Sequence, residues 1–288
     1  MRFAKAYVEI TNCCNRSCAF CPGTLRKPRF MTVEEFRLIA ERLRPATDFL
    51  YFHVMGEPLL HPELETLLEQ SAILGFRVIL TTNGTLLSRV GSVLLSAQAL
   101  HKVNISLHSF EANADAQLPE LLSECTDFAA RAAERGILIN LRLWNLDGEN
   151  TNGLNKRNGE ILTRLESYFP KPWKESRGGF RLAPRVYLNY AERFAWPSLR
   201  AEDFGERRYC YALQDQLGVL CDGTVVPCCL DHEGDIPLGN LLLQPLEEIL
   251  ASPRAAAISE GFRQGRATEE LCRRCGYSTR FRLRGGAD

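Results

Sequence analysis

Residues 11–23 read TNCCNRSCAFCPG and follow directly on residues 6–10 (AYVEI), a short alternating stretch with the form of a β-strand. Within them Cys14, Cys18 and Cys21 are spaced C-x3-C-x2-C. Three thiolates on one compact loop can each hold one iron of a cubane cluster and leave the fourth iron without a protein ligand. That open corner is the counterpart of the vacant coordination position in a catalytic zinc site. The spacing alone also admits zinc or a closed Fe–S cluster. Cys13 is a poor fourth ligand, because adjacent residues rarely reach two corners of one cube.

Working outward from this loop, strands and helices alternate. The residues Thr32 to Glu35 have the form of a capping box, and Phe36, Ile39, Ala40 and Leu43 mark one helical face behind it. Further strands are expected at 49–55, 76–82, 103–107, 137–143 and 181–188, and helices at 63–74, 119–135 and 160–168. Pro62 opens the first of these helices, while Gly75 and Gly136 stop the first and second. Strands joined by helices imply a parallel sheet, since parallel neighbours need crossovers. Six such units are too few for a closed eight-stranded barrel, so the expected fold is α/β, an open partial (β/α)6 TIM-like barrel.

Composition shifts near Trp196-Pro197, and the division expected is a barrel over residues 1–198 and a small cysteine-rich unit over 199–288. Asp222-Gly223 marks a hairpin turn between 217–220 and 224–226, and helices are expected at 245–252 and 254–263. So short a piece builds little core alone and would be stapled by metal. Cys210, Cys228, Cys272 and Cys275 supply four thiolates for it, enough for one fully ligated cluster or a structural zinc.

The chain of 288 residues holds eleven cysteines. Four lie from Cys13 to Cys21, six from Cys210 to Cys275, and Cys125 stands alone. Residues 1–11 lack a signal-peptide core and no apolar run approaches membrane-spanning length, so the expected compartment is the cytoplasm. Disulfides are disfavoured there, and two thiol groups point to metal. Lys plus Arg equal Asp plus Glu at 35 each, which gives no general attraction to nucleic acid or anionic membrane.

Met55-Gly56-Glu57-Pro58 closes the second strand and Thr82-Asn83-Gly84 the third. With the cysteine loop, these segments resemble the radical SAM (S-adenosylmethionine) superfamily, whose members carry C-x3-C-x2-C after the first strand of a partial barrel and a G-G-E-P segment after the second. The resemblance implies a SAM-binding [4Fe–4S] cluster on Cys14, Cys18 and Cys21, with Phe20 near the adenine and Gly56 and Glu57 at the methionine amino group. Met55 stands where the family has a glycine, a departure from the pattern at that position. Ser106 and Arg142 become candidates for the cofactor's carboxylate and ribose. His53 and His108 read more simply as structural histidines.

The second cysteine group resembles the SPASM/twitch domains appended to many such enzymes. No cysteine follows Cys275, so the shortened form is expected, with one auxiliary [4Fe–4S] cluster on Cys210, Cys228, Cys272 and Cys275. Cys221 and Cys229 are left over; either could donate a hydrogen atom in an epimerisation, and the plainer reading is a small buried hydrophobe. Cys125 is read as core and Cys13 as packing. The resemblance implies reductive cleavage of SAM to a 5′-deoxyadenosyl radical and abstraction of hydrogen from a substrate C–H, with an electron donor such as flavodoxin or ferredoxin. A peptide is the first-choice substrate, for a maturase or epimerase, reached through a separate carrier because no leader-binding domain is expected ahead of the barrel. A small-molecule alcohol dehydrogenase and a non-catalytic Fe–S or zinc binding module are the alternatives.

Overall fold

A computed structural model describes residues 2–112, 118–146 and 156–281. β1 (Lys5–Val8) leads through the cysteine loop to α1 (Val33–Leu43), and β2 (Phe49–Phe52) leads to α2 (Leu64–Ile73). Then come β3 (Arg77–Thr82), α3 (Leu87–Ser96), β4 (Leu100–Ser106), α4 (His108–Ala112), α5 (Leu118–Glu134) and β5 (Leu138–Leu146). α6 (Lys156–Tyr168) precedes β6 (Lys174–Ser176), β7 (Gly179–Ala183) and β8 (Val186–Glu192). The chain closes with β9 (Gln216–Val219), β10 (Thr224–Val226), β11 (Gly239–Asn240), α7 (Leu246–Leu250), α8 (Pro253–Arg263) and α9 (Glu270–Arg273).

All eleven described strands join one mixed sheet in the order β11-β10-β9-β1-β2-β3-β4-β5-β8-β7-β6. From β9 to β8 every neighbour is parallel, as the crossovers demand. Each edge is finished by antiparallel hairpin strands. In a flat sheet β1 and β5, four spacings apart, would lie about 19 Å from one another. Instead Arg142 of β5 and Tyr7 of β1 line the same cavity and sense each other's charge. The sheet is therefore curled, and the α/β partial barrel is the fold that forms.

Side chains alternate across this curled sheet. On β2, Leu50 and Phe52 face outward into the core under the helices, where Phe36 of α1 meets Phe52 edge-on with ring centroids 5.5 Å apart. Tyr51, and His53 just beyond the strand, face the cavity. Thr32 and Glu35 form the expected capping box at the head of α1. Among the described residues no helix is long and apolar enough to cross a membrane.

Two local expectations need correction. Residues 181–188, read as one strand, are split between β7 and β8, which run antiparallel around a tight turn with Arg185 at φ +64°. Pro184 removes a ladder donor inside that run and marks the break. The sixth parallel strand is β8, paired with β5. The crossover helix α3 has no counterpart among the expected helices, because Gly91 interrupts its pattern. Gly91 is there for packing: a Cβ would lie 3.3 Å from the Phe128 ring of α5.

The C-terminal segment continues the same sheet. β9 pairs with β1 over Lys5↔Gln216 to Val8↔Val219, and the expected hairpin follows as β9–β10.

Candidate active site

Glu9, the residue after β1, is fully buried and holds the base of the cysteine loop. Its carboxylate takes both Nη atoms of Arg26 at 2.6 and 2.7 Å, the fork geometry that makes Arg–carboxylate pairs strong. The same two oxygens accept the backbone N–H of Met55 at 3.1 Å and of Cys221 at 3.0 Å. Arg26 in turn donates from Nε to the His232 carbonyl at 2.8 Å. One ion pair thus joins the ends of β1, β2 and β9 to the loop carrying Cys14, Cys18 and Cys21.

The loop is clasped below the cysteines. Thr11 Oγ1 donates to the Arg29 carbonyl at 2.8 Å, Asn12 Nδ2 donates to the Lys27 carbonyl at 3.0 Å, and Arg29 N–H donates to Asn12 Oδ1 at 2.8 Å. Above the clasp Cys14 and Cys21 are exposed and Cys18 is half-buried. Cys14 is exposed by area yet crowded enough that desolvation raises its thiol pKa, and the charges of Glu57, Cys18 and Cys21 add to the rise. The three thiols therefore share one neighbourhood with Glu57.

Gly56 sits at φ +74° against this loop, where a Cβ would come within 2.4 Å of the Thr11 carbonyl and 2.8 Å of the Cys13 carbonyl. Only glycine permits that approach. Glu57 N–H donates to the Cys13 carbonyl at 2.8 Å. Its buried carboxylate accepts the N–H of Asn83 at 2.7 Å and of Leu59 at 3.0 Å, and burial pushes its pKa up to about 7. Asn83 Nδ2 returns to Asn15 Oδ1 at 2.8 Å, so the ends of β2 and β3 both brace the loop. At the departing position, Met55 places its sulfur 4.0 Å from Cys21 Sγ. Phe20 lies 5.0 Å from the His108 ring, and His108 is fixed by its Nδ1 at 3.1 Å from the Arg142 carbonyl. Ser106 and Arg142 are register partners on β4 and β5.

Cys210, Cys228, Cys272 and Cys275 converge at the other end. Cys228 and Cys272 are both pushed well above the ordinary thiol range, by burial first and then by the other thiols. Burial likewise takes Cys210 to about 12. Buried thiols of this kind ionise together only beside compensating positive charge, so the all-sulfur donor set fits an iron–sulfur core. Among the described residues no group of three His, Cys, Asp or Glu side chains is drawn in closely enough for a single metal ion.

One cavity of about 570 Å³ reaches from Cys14, Cys18 and Cys21 to all four of these thiols. Its wall includes Tyr7, Tyr51, His53, Arg142, Trp144 and Tyr277. Cys229 lines it as well, with its sulfur hydrogen-bonded to the Tyr7 hydroxyl. Cys221 lies outside the lining, 1 % exposed and 3.8 Å from Arg26 Nη1. Cys125 is fully buried in the core, and Cys13 packs its sulfur 3.8 Å from the Arg29 carbonyl.

Comparison with known proteins matches residues 8–155 to the family model of the radical SAM superfamily. The chain belongs to that superfamily. A second model, an iron–sulfur cluster-binding domain of the SPASM type, matches residues 210–276. This radical SAM enzyme accordingly uses a [4Fe–4S] cluster and SAM, with auxiliary Fe–S ligation in its C-terminal segment. The zinc and non-catalytic alternatives give way. A probable GTP 3′,8-cyclase from Pyrobaculum aerophilum is 28 % identical over 145 residues, 48 % of this chain and 46 % of that one. One from Methanothermobacter marburgensis is 34 % identical over 110 residues, 36 % and 35 % of the two chains. The chain thus spans under half the length of these curated relatives. Among solved structures, BtrN in complex with AdoMet and 2-DOIA superposes with a TM-score of 0.58 at 17 % identity, covering 96 % of this chain and 93 % of that one. SuiB of Streptococcus suis bound to S-adenosylmethionine gives a TM-score of 0.63 at 15 % identity, covering 89 % and 68 %. Both show the shared fold.

The Glu9 bracket carries a stability prediction. Glu9→Ala leaves the half-buried Arg26 without its partner and the Met55 and Cys221 N–H groups without their acceptor, and is expected to destabilise the fold by about 3 kcal/mol. Chemical denaturation of the wild type and variant, with iron content measured alongside, checks this.

Proposed function

We propose that Cys14, Cys18 and Cys21 hold the SAM-binding cluster and that Cys210, Cys228, Cys272 and Cys275 hold one auxiliary [4Fe–4S] cluster, the substrate lying in the cavity between them. The observation that carries this is the single cavity lined by both thiol sets and by Gly56 and Glu57. When bound, the first cluster and SAM supply the 5′-deoxyadenosyl radical that takes hydrogen from a substrate C–H. The chain's own part is to bind, orient and exclude water. Glu57 faces the methionine ammonium, Phe20 the adenine, and Ser106 the remaining polar groups of the cofactor. Exposed Cys14 and Cys21 leave the loop approachable by an external one-electron donor such as flavodoxin or ferredoxin. Residues 1–198 act as the barrel and 199–288 as the auxiliary-cluster segment, two roles within one sheet.

A peptide side chain is the substrate we favour. SuiB has been solved bound to its precursor peptide SuiA, and anSMEcpe with AdoMet and the Kp18Cys peptide. A small molecule is the second reading, favoured by the match to BtrN, solved with 2-DOIA, over nearly the full length of both chains. GTP is not carried over from relatives matched over under half of each chain.

Four measurements test these readings. Anaerobically reconstituted protein given reductant and SAM is expected to form 5′-deoxyadenosine well above a Cys18→Ala control; equal yields would remove the proposed role of the loop. Iron and sulfide should each reach about eight per chain, and about four in Cys272→Ala. SAM affinity should rise about tenfold from pH 6 to pH 8, because only ionised Glu57, with its pKa raised to about 7, attracts the ammonium. The slope should vanish in Glu57→Gln, as read from SAM-induced changes in the cluster spectrum. If the reaction is an epimerisation, Cys229 and not Cys221 is the hydrogen donor, since only Cys229 lines the cavity. Cys229→Ala should then abolish deuterium uptake from D2O into product; full uptake in that variant would exclude the role.

A further inference from the structure

Buried histidines elsewhere in the fold are held by hydrogen bonds. His61 sits between the Met31 carbonyl, 2.9 Å from Nε2, and the Glu63 N–H, 3.1 Å from Nδ1. His108 and His232 each place Nδ1 on a backbone carbonyl, of Arg142 and Leu230, at 3.1 and 3.2 Å. His53 differs. Its Nδ1 is buried without a partner, and no hydrogen bond from the described residues reaches its Nε2, the nitrogen left open to the cavity. Packing alone fixes the ring: Tyr7 meets it edge-on at 5.1 Å, and the Tyr51 ring lies 6.1 Å away. A structural histidine needs a bonded nitrogen, and His53 has none.

Burial takes the His53 pKa down to about 3, with the charges of Arg142 and Lys5 adding to the fall, so the ring is neutral at any working pH. A neutral imidazole carries one proton, and the burial of Nδ1 decides where it sits. A buried N–H with no acceptor is rarer in folded proteins than a buried acceptor with no donor. The proton therefore resides on Nε2, and His53 points an N–H into the cavity. Two residues back on the same face of the chain, Tyr51 also lines the cavity, and no hydrogen bond from the described residues reaches its hydroxyl. Burial raises the Tyr51 pKa, so that hydroxyl keeps its proton.

The charged groups nearby have counterparts. Lys5 and Asp215 both line the cavity and offset one another. Arg142 answers to the cofactor's carboxylate, as the family resemblance implies. The Tyr7 hydroxyl is engaged with the Cys229 sulfur. Tyr51 and His53 remain, two uncharged donors side by side, and what they lack is an oxygen without charge.

We propose that Tyr51 and His53 bind a neutral oxygen of the substrate, an amide carbonyl or a hydroxyl, which deepens, and rests on, the reading of the cavity as the substrate site. His53 Nε2–H donates to that oxygen, and the Tyr51 hydroxyl donates to it or to the next one. The oxygen belongs either to a peptide backbone or to a small polyol; the two share this recognition chemistry. Because its ring stays neutral, His53 holds the substrate and moves no proton.

Ligand-observed NMR on anaerobic, SAM-loaded holoenzyme, with N-acetylglycine N-methylamide and myo-inositol as probes, tests the assignment. At least one probe is expected to bind with a Kd on the order of millimolar. His53→Phe keeps a flat ring against Tyr7 and is expected to weaken that binding about fivefold or more. His53→Gln returns an N–H and is expected to recover much of the loss. Binding of the diamide alone identifies the peptide source, of inositol alone the polyol, and of both the shared oxygen. The proposal is overturned if neither probe binds, if His53→Phe binds as tightly as the wild type, or if that variant weakens SAM, read from the cluster spectrum, as much as the probe. Where His53→Phe fails to fold, Tyr51→Phe removes a single hydroxyl, and an unchanged Kd in that variant overturns the proposal instead. Absence of 5′-deoxyadenosine from the wild type would refute the functional reading, and it is measured separately.

Discussion

A charge buried beneath the cluster loop organises the site, and the loop, the second strand end and the C-terminal hairpin all answer to it. Glu9 is fully buried, and its carboxylate receives four donors: two from Arg26 and one each from the backbone at Met55 and Cys221. A buried carboxylate is tolerable only when paired and hydrogen-bonded, and here it is both. Breaking it would release three segments at once. The Gly56 contact depends on the same bracket, since Met55 is held by it and Gly56 follows.

The curled sheet separates two environments that the chain builds from alternate residues. Outward positions such as Leu50 and Phe52 enter a continuous apolar core under the helices. Inward positions carry phenols, imidazoles, a guanidinium and thiols around a cavity with a set of cysteines at each end. The inner face gains little from hydrophobic burial; its stability comes from the packed outer layer, which frees it for chemistry.

Much of this was legible in the chain. Three cysteines at fixed spacing and a glycine-glutamate turn after the next strand are local patterns, and local patterns survive translation into structure. Of the C-terminal thiols, the Cys272-x2-Cys275 pair was legible for the same reason, while Cys210 and Cys228 joined it through the family resemblance. What sequence concealed was non-local. Glu9 reads as an ordinary polar position at a strand end, and nothing near it says that Arg26, Met55 and Cys221 will meet there. Cys221 and Cys229 look equivalent in the chain, yet one lies behind the ion pair and the other faces the cavity. The turn at Pro184-Arg185 and the helix carrying Gly91 were obscured because a proline and a glycine weaken the periodicity on which such readings rest.

The pairing of β1 with β9 joins residues roughly 200 positions apart. At synthesis rates of about 5–20 residues per second, the first strand waits some 10–40 s for its neighbour to be made. Over that interval Glu9 lacks the Cys221 amide, and Arg26 lacks the His232 carbonyl that later fixes it. The thiols nearest the amino terminus are thus the first to be synthesised, and their loop gains its full set of long-range contacts only when the C-terminal hairpin exists.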